Sequence, residues 1–160
     1  MHVLMVAAEN DAIPGAKVGG VADVVRDLPQ ALAKQHVTVD VVIPDYGHYA
    51  QQYESRLLAT VQVPFAGKKE TVSLFEIYLP ETTGKVRQLV LQHALFSATG
   101  RVYSHDADNR PFATDATKYA LFSIAVCQVL KEGILTRPDV LHLHDWHSAS
   151  VAVLCKYTPH

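Results

Sequence analysis

The chain of 160 residues has few cysteines, no excess of charge of either sign and no long uncharged apolar run. Its formal net charge of −2 excludes the strongly basic composition of a nucleic-acid-binding protein and predicts no affinity for an anionic membrane. Its most apolar segment, ALFSIAVCQVL (120–130), contains Ser123 and Gln128 and is shorter than the roughly 20 residues of a membrane-spanning helix. A hydrophobic content of 49% instead predicts one soluble globular domain.

Only two cysteines occur, Cys127 and Cys155, and no C-x-x-C pattern links them. Their separation predicts two buried, reduced thiols and argues against a disulfide or a zinc site. The amino-terminal run MHVLMVAA has no Lys or Arg before Lys17 and continues into END without a small-residue cleavage site, so it predicts a buried strand and not a secretory signal. Both observations predict a cytoplasmic protein.

The apolar pattern of the first half predicts strands and one helix. Residues 2–8 and 37–43 are apolar runs typical of parallel strands that are covered on both faces. Between them, helical spacing from Gly20 onward predicts an amphipathic helix, which Pro29 should kink or shorten. Three further strand-like runs, with no helix between them, predict hairpins within or beside the sheet: 56–65, 70–79 and 86–92.

The second half adds a long loop, a buried helix and a short strand that ends in a polar motif. The loop, residues 97–111, is rich in turn formers and has a length that favours binding. Thr114 or Asp115 as N-cap and Gly133 as C-cap delimit a helix that is apolar around most of its circumference. The segment RPDVLHLHDWH then predicts a strand, and a last helix is expected from Ser148.

This order predicts an α/β fold, a Rossmann-like open and mostly parallel sheet with a hairpin insertion. In such sheets ligands bind beyond the carboxyl ends of the parallel strands. Polar segments follow three of the predicted strands, ENDAIPGAKVGG (9–20), PDYGHY (44–49) and HDWH (144–147). We therefore expect the functional site where these segments meet.

The segment KVGG (17–20) lies between the first strand and the first helix, where nucleotide-binding α/β domains have their phosphate loop. Gly19 and Gly20 let the backbone approach an anion, the N–H groups at the helix start point toward it, and Lys17 adds a positive charge. The segment matches neither G-x-G-x-x-G nor the P-loop pattern, which argues against an NAD enzyme and a P-loop NTPase. The alternative is a tight turn with an exposed lysine.

The segment HLHDWH (142–147) concentrates three histidines, an aspartate and a tryptophan. His142 and His144 should share one face of a strand, but two histidines are too few for a zinc site, so we predict packed strand histidines with Trp146 in the core. Asp145 follows the strand end, where it either faces the ligand crevice or caps the helix at Ser148.

Other polar residues are candidates for the same crevice. Glu9 follows the first strand and is either a cleft or a turn residue, and Asp23 lies one turn after the glycines on a position that is most often solvated. Three residues of the long loop could line a sugar site by stacking and hydrogen bonding, or belong to an exposed loop: Tyr103, His105 and Asp106.

Together, the segments MHVLMVAAEN, KVGGVADVV, VVIPDYGHY, RVYSHDADNRPF and RPDVLHLHDWHSA resemble the glycogen and starch synthases, in the same order along nearly the whole chain. The resemblance implies a retaining glucosyltransferase of the B-type fold, with two facing Rossmann-like domains. It implies transfer of glucose from ADP-glucose or UDP-glucose to the non-reducing end of an α-1,4-glucan, with no cofactor and no metal.

The resemblance also implies roles for single residues. Lys17 matches the lysine that contacts the donor diphosphate, and Asp145 matches the aspartate beside the transferred glucose, which makes it the candidate catalytic residue. Six positions are implied to lie on the donor side: Lys17, Gly19, Gly20, Tyr103, Asp23 and Glu9. Val18, where many members carry Thr, and a loop two residues longer between Glu9 and Lys17 depart from the family pattern.

The family's enzymes are much longer than this chain. We therefore expect residues 1–160 to be part of an amino-terminal Rossmann-like domain, without the carboxyl-terminal domain, and to be inactive alone. The main alternative is a non-catalytic module that binds a nucleotide or a carbohydrate, and a metal-dependent hydrolase is the third.

Overall fold

The computed structural model describes residues 1–80, 84–105, 107–108, 110 and 114–157. Its elements, in chain order, are β1 (His2–Val6), α1 (Gly20–Lys34), β2 (Thr38–Pro44), α2 (Tyr49–Gln52), β3 (Ser55–Phe65), β4 (Lys68–Ile77), β5 (Val86–Gln92), α3 (Ala94–Ser97), α4 (Asp115–Lys131), β6 (Val140–Leu143) and α5 (Asp145–Tyr157). Within the described ranges, no helix is both long and apolar enough to cross a membrane.

The six strands form one mixed sheet in the order β3-β4-β5-β2-β1-β6. Strands β5, β2, β1 and β6 run parallel to one another, and β4 pairs antiparallel with both β3 and β5. The predicted α/β fold, with a mostly parallel sheet and a hairpin insertion, is confirmed.

The hairpin of β3 and β4 extends beyond the rest of the sheet. The last residue of β5, Gln92, lies opposite Ser73, so the start of β4 from Lys68 onward pairs only with β3. The two residues of the turn, Ala66 and Gly67, both have positive φ, as the tightest hairpin turns require. The hairpin tip therefore projects past the carboxyl ends of the parallel strands.

The central strands are buried after their first residues, as expected for parallel strands that are covered on both faces. Every residue of Val3–Val6 in β1 and of 39–44 in β2 is buried. Helix α1 packs on β2 and β5, while α4 packs on β3 and α5. The apolar runs at 2–8 and 37–43 thus form the predicted core strands.

Helix boundaries follow the prediction at α4 and depart from it twice. Gly133 adopts φ +69° directly after the C-cap Glu132, as predicted for the end of α4. Pro29 is buried and does not shorten α1, which continues for five more residues. Packing of the apolar face of the helix outweighs the loss of one N–H donor. Helix α5 begins at Asp145 and not at Ser148, whose hydroxyl donates to the His144 carbonyl at 2.8 Å.

Candidate functional site

The polar segments that follow β1, β2 and β6 meet at one edge of the sheet, as parallel pairing requires. Tyr46, after β2, donates its hydroxyl to the carbonyl of Ala8, after β1, at 2.8 Å. Tyr103 of the long loop lies with its ring centroid 5.1 Å from that of His147, after β6. These contacts bring the polar segments together at the carboxyl ends of the parallel strands, as expected.

Glu9 connects the KVGG loop to the long loop. Its carboxylate Oε2 accepts the backbone N–H groups of Val18 at 2.7 Å and Gly19 at 2.5 Å, and its Oε1 accepts the hydroxyl of Tyr103 at 2.5 Å. Glu9 is only 2% exposed. The Gly19 N–H group, which the resemblance assigns to a donor diphosphate, is thus held by an internal carboxylate.

Tyr103 is fixed as a hydrogen-bond donor in this arrangement. Burial, followed by the hydrogen bond to Glu9, raises the pKa of its hydroxyl well above the ordinary value of 10. The phenol therefore keeps its proton at any physiological pH and continues to donate to the carboxylate.

Lys17 lies on the solvent side of the same loop among carboxylates. Its ammonium donates to Asp23 at 2.6 Å and to Asp11 at 3.3 Å, and Arg26 pairs with Asp11 as well. The hydrogen bond to Asp23 is the main cause that raises the pKa of Lys17. The structure thus brings Lys17 and Asp23 together, with the cation neutralised by exposed acidic partners.

A cavity of about 480 Å³ opens between the KVGG loop and the long loop. Residues 15, 17 and 18 line one side, and residues 100–103 and 105 line the other. Tyr103 and His105, predicted to line a sugar site, therefore border this cavity, whereas Asp106 lies outside the described residues. Gly20 begins α1 and is exposed. A side-chain Cβ atom added at this position would have no described atom within 4 Å, so packing does not require a glycine there.

Asp145 has an unusual backbone conformation directly after β6. Its φ of +59° lies in the left-handed region, which costs energy for residues other than glycine and recurs at functional sites. Among the residues that the structure describes, no hydrogen bond or ion pair engages its carboxylate, so of the two alternatives for Asp145 the helix cap is not observed. The exposed carboxylate is free to accept hydrogen bonds from a ligand.

The predicted shared face of His142 and His144 is confirmed, but the buried Nε2 of His144 has no hydrogen-bond partner among the described residues, and the tryptophan is not in the core. The rings of His142 and His144 share one face, with centroids 4.3 Å apart. In the described part of the chain, no group of three His, Cys, Asp or Glu side chains is arranged to hold a metal ion. Trp146 is 51% exposed, so its prediction as a core residue is wrong, because it lies in the first turn of α5 at the open edge of the sheet.

His147 is buried among aromatic rings, and this environment predicts a pH dependence of stability. Burial lowers the pKa of His147 below 6.5 despite nearby Asp145, and its Nε2 atom has no partner among the described residues. Because the unfolded chain then binds the proton more tightly, the free energy of unfolding should decrease as pH falls below about 6.5. Urea denaturation of the wild type and of His147→Phe between about pH 7.5 and about pH 5.5 measures the difference.

His147→Phe should lose less stability over this interval than the wild type, since a phenyl ring fills the same site without titrating. The exposed His105, changed to Gln, is the matched control and should keep the slope of the wild type. Identical slopes for the wild type and His147→Phe would contradict the assignment. Burial also lowers the pKa of His144, so part of the slope should persist in the variant.

Three residues of α4 that sequence reasoning missed anchor the long loop. The buried ammonium of Lys118 donates to the carbonyl of Val102 at 2.6 Å and pairs with Asp115 at 2.9 Å. Tyr119 donates its hydroxyl to the same carbonyl of Val102 at 2.7 Å. Asp115 also accepts the backbone N–H of Ser104 at 3.2 Å. These contacts fix the backbone on both sides of Tyr103.

A signal for these residues existed in the sequence. A helix predicted to be apolar around most of its circumference carries Asp115 and Lys118 three positions apart, the spacing at which helical side chains meet. A lysine on a buried helix needs several oxygen partners, because burial disfavours its charged form. Burial indeed lowers the pKa of Lys118. The identity of the partners, by contrast, depends on the tertiary fold.

Comparison with known proteins shows that the chain is similar to glycogen and starch synthases. The family model described as starch synthase catalytic domain matches residues 2–160. The glycogen synthase of Chlamydia muridarum is 35% identical over 150 residues, which is 91% of this chain and 29% of that protein. The glycogen synthase of Gloeobacter violaceus is 34% identical over 161 residues, 99% of this chain and 31% of that protein.

A solved structure agrees in fold along almost the whole chain. The catalytic domain of starch synthase IV from Arabidopsis thaliana, bound to ADP and acarbose, matches with a TM-score of 0.77 and 30% sequence identity. The match covers 98% of this chain and 30% of that chain. The chain thus spans about three-tenths of the length of these relatives.

Proposed function

Because the chain belongs to the starch synthase catalytic-domain family of glycosyltransferases, we propose that it forms the Lys17 side of a donor site for ADP-glucose. Within a longer enzyme, this site serves the retaining transfer of glucose to the non-reducing end of an α-1,4-glucan. The cavity between the KVGG loop and Tyr103, at the carboxyl edge of the parallel strands, is the observation that carries the proposal. The ADP bound to the Arabidopsis relative favours adenine as the donor base.

Lys17 is proposed to bind the diphosphate of the donor. When the glycosidic bond to the donor breaks, negative charge develops on the leaving diphosphate, and a positioned cation stabilises that charge. Lys17 is paired with Asp23 in the structure, but exposed ion pairs contribute little free energy. A diphosphate with at least two negative charges can therefore displace Asp23 as the partner of Lys17.

Glu9 is proposed to position the loop and not to touch the donor. It binds the N–H groups of Val18 and Gly19 and the hydroxyl of Tyr103, so it sets the distance between the two walls of the cavity. The N–H groups that α1 offers to an anion then begin at Gly20, where the helix starts.

Asp145 is proposed to lie beside the transferred glucose. Glucosyl transfer passes through an oxocarbenium-like transition state, so an unengaged carboxylate stabilises the positive charge at the sugar or holds its hydroxyl groups. No covalent role is assigned to Asp145, since the retained stereochemistry alone does not require one from this residue.

Glu9→Gln should weaken ADP binding about tenfold, because the loop N–H groups and Tyr103 lose a charged acceptor worth about 1.5 to 3 kcal/mol. Tyr103→Phe removes the hydroxyl that donates to Glu9 but leaves the carboxylate in place, so it should have a smaller effect. Calorimetric titration of the full-length enzyme, meaning a protein of the relatives' length that contains this chain, measures both. Unchanged or tighter ADP binding by Glu9→Gln would contradict the positioning role, and tighter binding would mean that Glu9 competes with phosphate for the same N–H groups.

The exposed Glu132 provides the matched control for that titration. It lies at the C-cap of α4, far along the chain from the loop, and Glu132→Gln should bind ADP as the wild type does.

The proposed function is tested by transfer of labelled glucose from ADP-glucose to glycogen. The full-length enzyme should transfer glucose, and UDP-glucose in a parallel reaction should be the poorer donor. The 160-residue chain alone should show no transfer and feeble binding of ADP and maltooligosaccharides. Tight binding by the chain, together with no transfer by the full-length protein, would instead support a non-catalytic binding module.

A further inference from the structure

The two cysteines, distant in sequence, are neighbours in the fold. Cys127 on α4 and Cys155 on α5 lie with their Sγ atoms 3.1 Å apart, and both are free and half-buried. The two helices pack directly on each other. Both thiols are free, as predicted, but they are half-buried neighbours, because the packing of α4 on α5 brings together positions 28 residues apart.

The separation of the two sulfur atoms is about 1 Å greater than a disulfide bond of about 2.05 Å. The Cys127 thiol also lies 3.6 Å from the carbonyl of Val151, one turn before Cys155 on α5, so it faces the partner helix and not the solvent. Small rotations of the two side chains bring the sulfur atoms within bonding distance.

We propose that Cys127 and Cys155 form a reversible disulfide that links α4 to α5 when the protein meets a low-molecular-weight disulfide such as oxidised glutathione. The Cys155 thiolate attacks one sulfur of glutathione disulfide and releases one glutathione thiolate. The Cys127 thiolate then attacks the Cys155 sulfur of the mixed disulfide and releases the second glutathione. The two protein thiols are oxidised by two electrons and lose two protons, and one glutathione disulfide is reduced to two thiols.

The order of attack follows from the environment of Cys127. Burial and the neighbouring Cys155 raise the pKa of the Cys127 thiol well above 9, so the thiol is protonated and reacts slowly with external reagents. Cys155 therefore reacts first. Cys127 then loses its proton to solvent and attacks the Cys155 sulfur, an intramolecular step that the 3.1 Å separation of the two sulfur atoms favours.

The link would join the two helices whose amino ends border the candidate site. Helix α5 begins at Asp145, ten residues or about 15 Å before Cys155. Helix α4 begins at Asp115 and carries Tyr119, whose ring contacts Trp146 with centroids 5.6 Å apart. A covalent link between α4 and α5 thus restrains the distance between the anchor of the long loop and Asp145.

The test uses the purified 160-residue chain, fully reduced and then exposed to oxidised glutathione. Intact mass should fall by two hydrogen atoms with no glutathione adduct, and both thiols should disappear in a thiol assay. Cys127→Ser should instead accumulate one glutathione adduct, and Cys155→Ser should react much more slowly. Dithiothreitol should restore the reduced mass.

Denaturation provides an independent readout of the link. The urea midpoint of the wild type should rise on oxidation and return on reduction, whereas the midpoints of both serine variants should not change. Any of three results would overturn the proposal. They are a stable glutathione adduct on the wild type, disulfide-linked dimers, and a wild-type chain that stays reduced while Cys127→Ser is modified. These outcomes do not depend on glucosyl transfer, so they are separable from failure of the proposed function.

Discussion

Asp145→Asn should lower the turnover number of glucose transfer by the full-length enzyme about 100-fold or more, while the urea midpoint stays that of the wild type. Asparagine keeps the size of the side chain and tolerates a positive φ, so it removes the charge without adding backbone strain. Among described residues the carboxylate has no protein partner whose loss would destabilise the fold. Initial rates with ADP-glucose and glycogen measure the effect.

Asp27→Asn is the matched control for this measurement. Asp27 is exposed on α1, where it pairs with Arg26, and its substitution should leave the turnover number within about twofold of the wild type. Asp145→Gly distinguishes the effect of backbone strain from that of the carboxylate. Glycine adopts φ +59° without cost, so this variant should be at least as stable as the wild type but should lose turnover. Normal turnover of Asp145→Asn would show that the Asp145 carboxylate is not needed for glucose transfer.

Asp115→Leu should decrease the free energy of unfolding by about 3 to 5 kcal/mol, the largest stability effect that we expect in this chain. Its carboxylate is fully buried against the ammonium of Lys118, so removing it leaves a buried cation without its counter-charge. Because small domains are stable by only about 5 to 15 kcal/mol, the variant is expected to be partly unfolded at physiological temperature. Urea denaturation of the 160-residue chain measures the loss.

A double variant distinguishes the buried pair from simple loss of packing. Asp115→Leu combined with Lys118→Met removes both charges, and its loss of stability should be clearly smaller than the sum of the two single losses. Additive losses would show that the two side chains do not stabilise each other. Since the pair anchors residues 101–104, the double variant should also disturb the contact between Tyr103 and Glu9.

The strands and helices were largely predictable because their signals are local. The apolar runs of β1 and β2 and the helical spacing of α1 determine those elements with little help from the rest of the chain. The three polar segments could be assigned to one edge because carboxyl ends of parallel strands always meet there. Pro29 does not shorten α1, although shortening was one of its two expected effects. The loss of one N–H donor costs less free energy than the packing of a whole helix face contributes.

The contacts within the site were not predictable because they join residues far apart in the chain. The hydrogen bond from Tyr103 to Glu9 spans 94 positions, and the Cys127 and Cys155 pair depends on how α4 packs on α5. Trp146 was assigned to the core from its apolar character, but in the structure it lies exposed in the first turn of α5. The KVGG loop was located correctly, whereas the partner that holds its N–H groups is a tertiary feature.

The projecting hairpin of β3 and β4 makes the domain suitable for distance measurements by fluorescence energy transfer. Its tip and Trp146 mark opposite flanks of the same edge, and the distance between them across the sheet is four to five strand spacings, or roughly 19 to 24 Å. Trp146 is the single tryptophan of the chain, so its emission comes from one known place beside Asp145. An acceptor dye attached at the hairpin tip would therefore report directly on any change in the width of this edge as ligands bind.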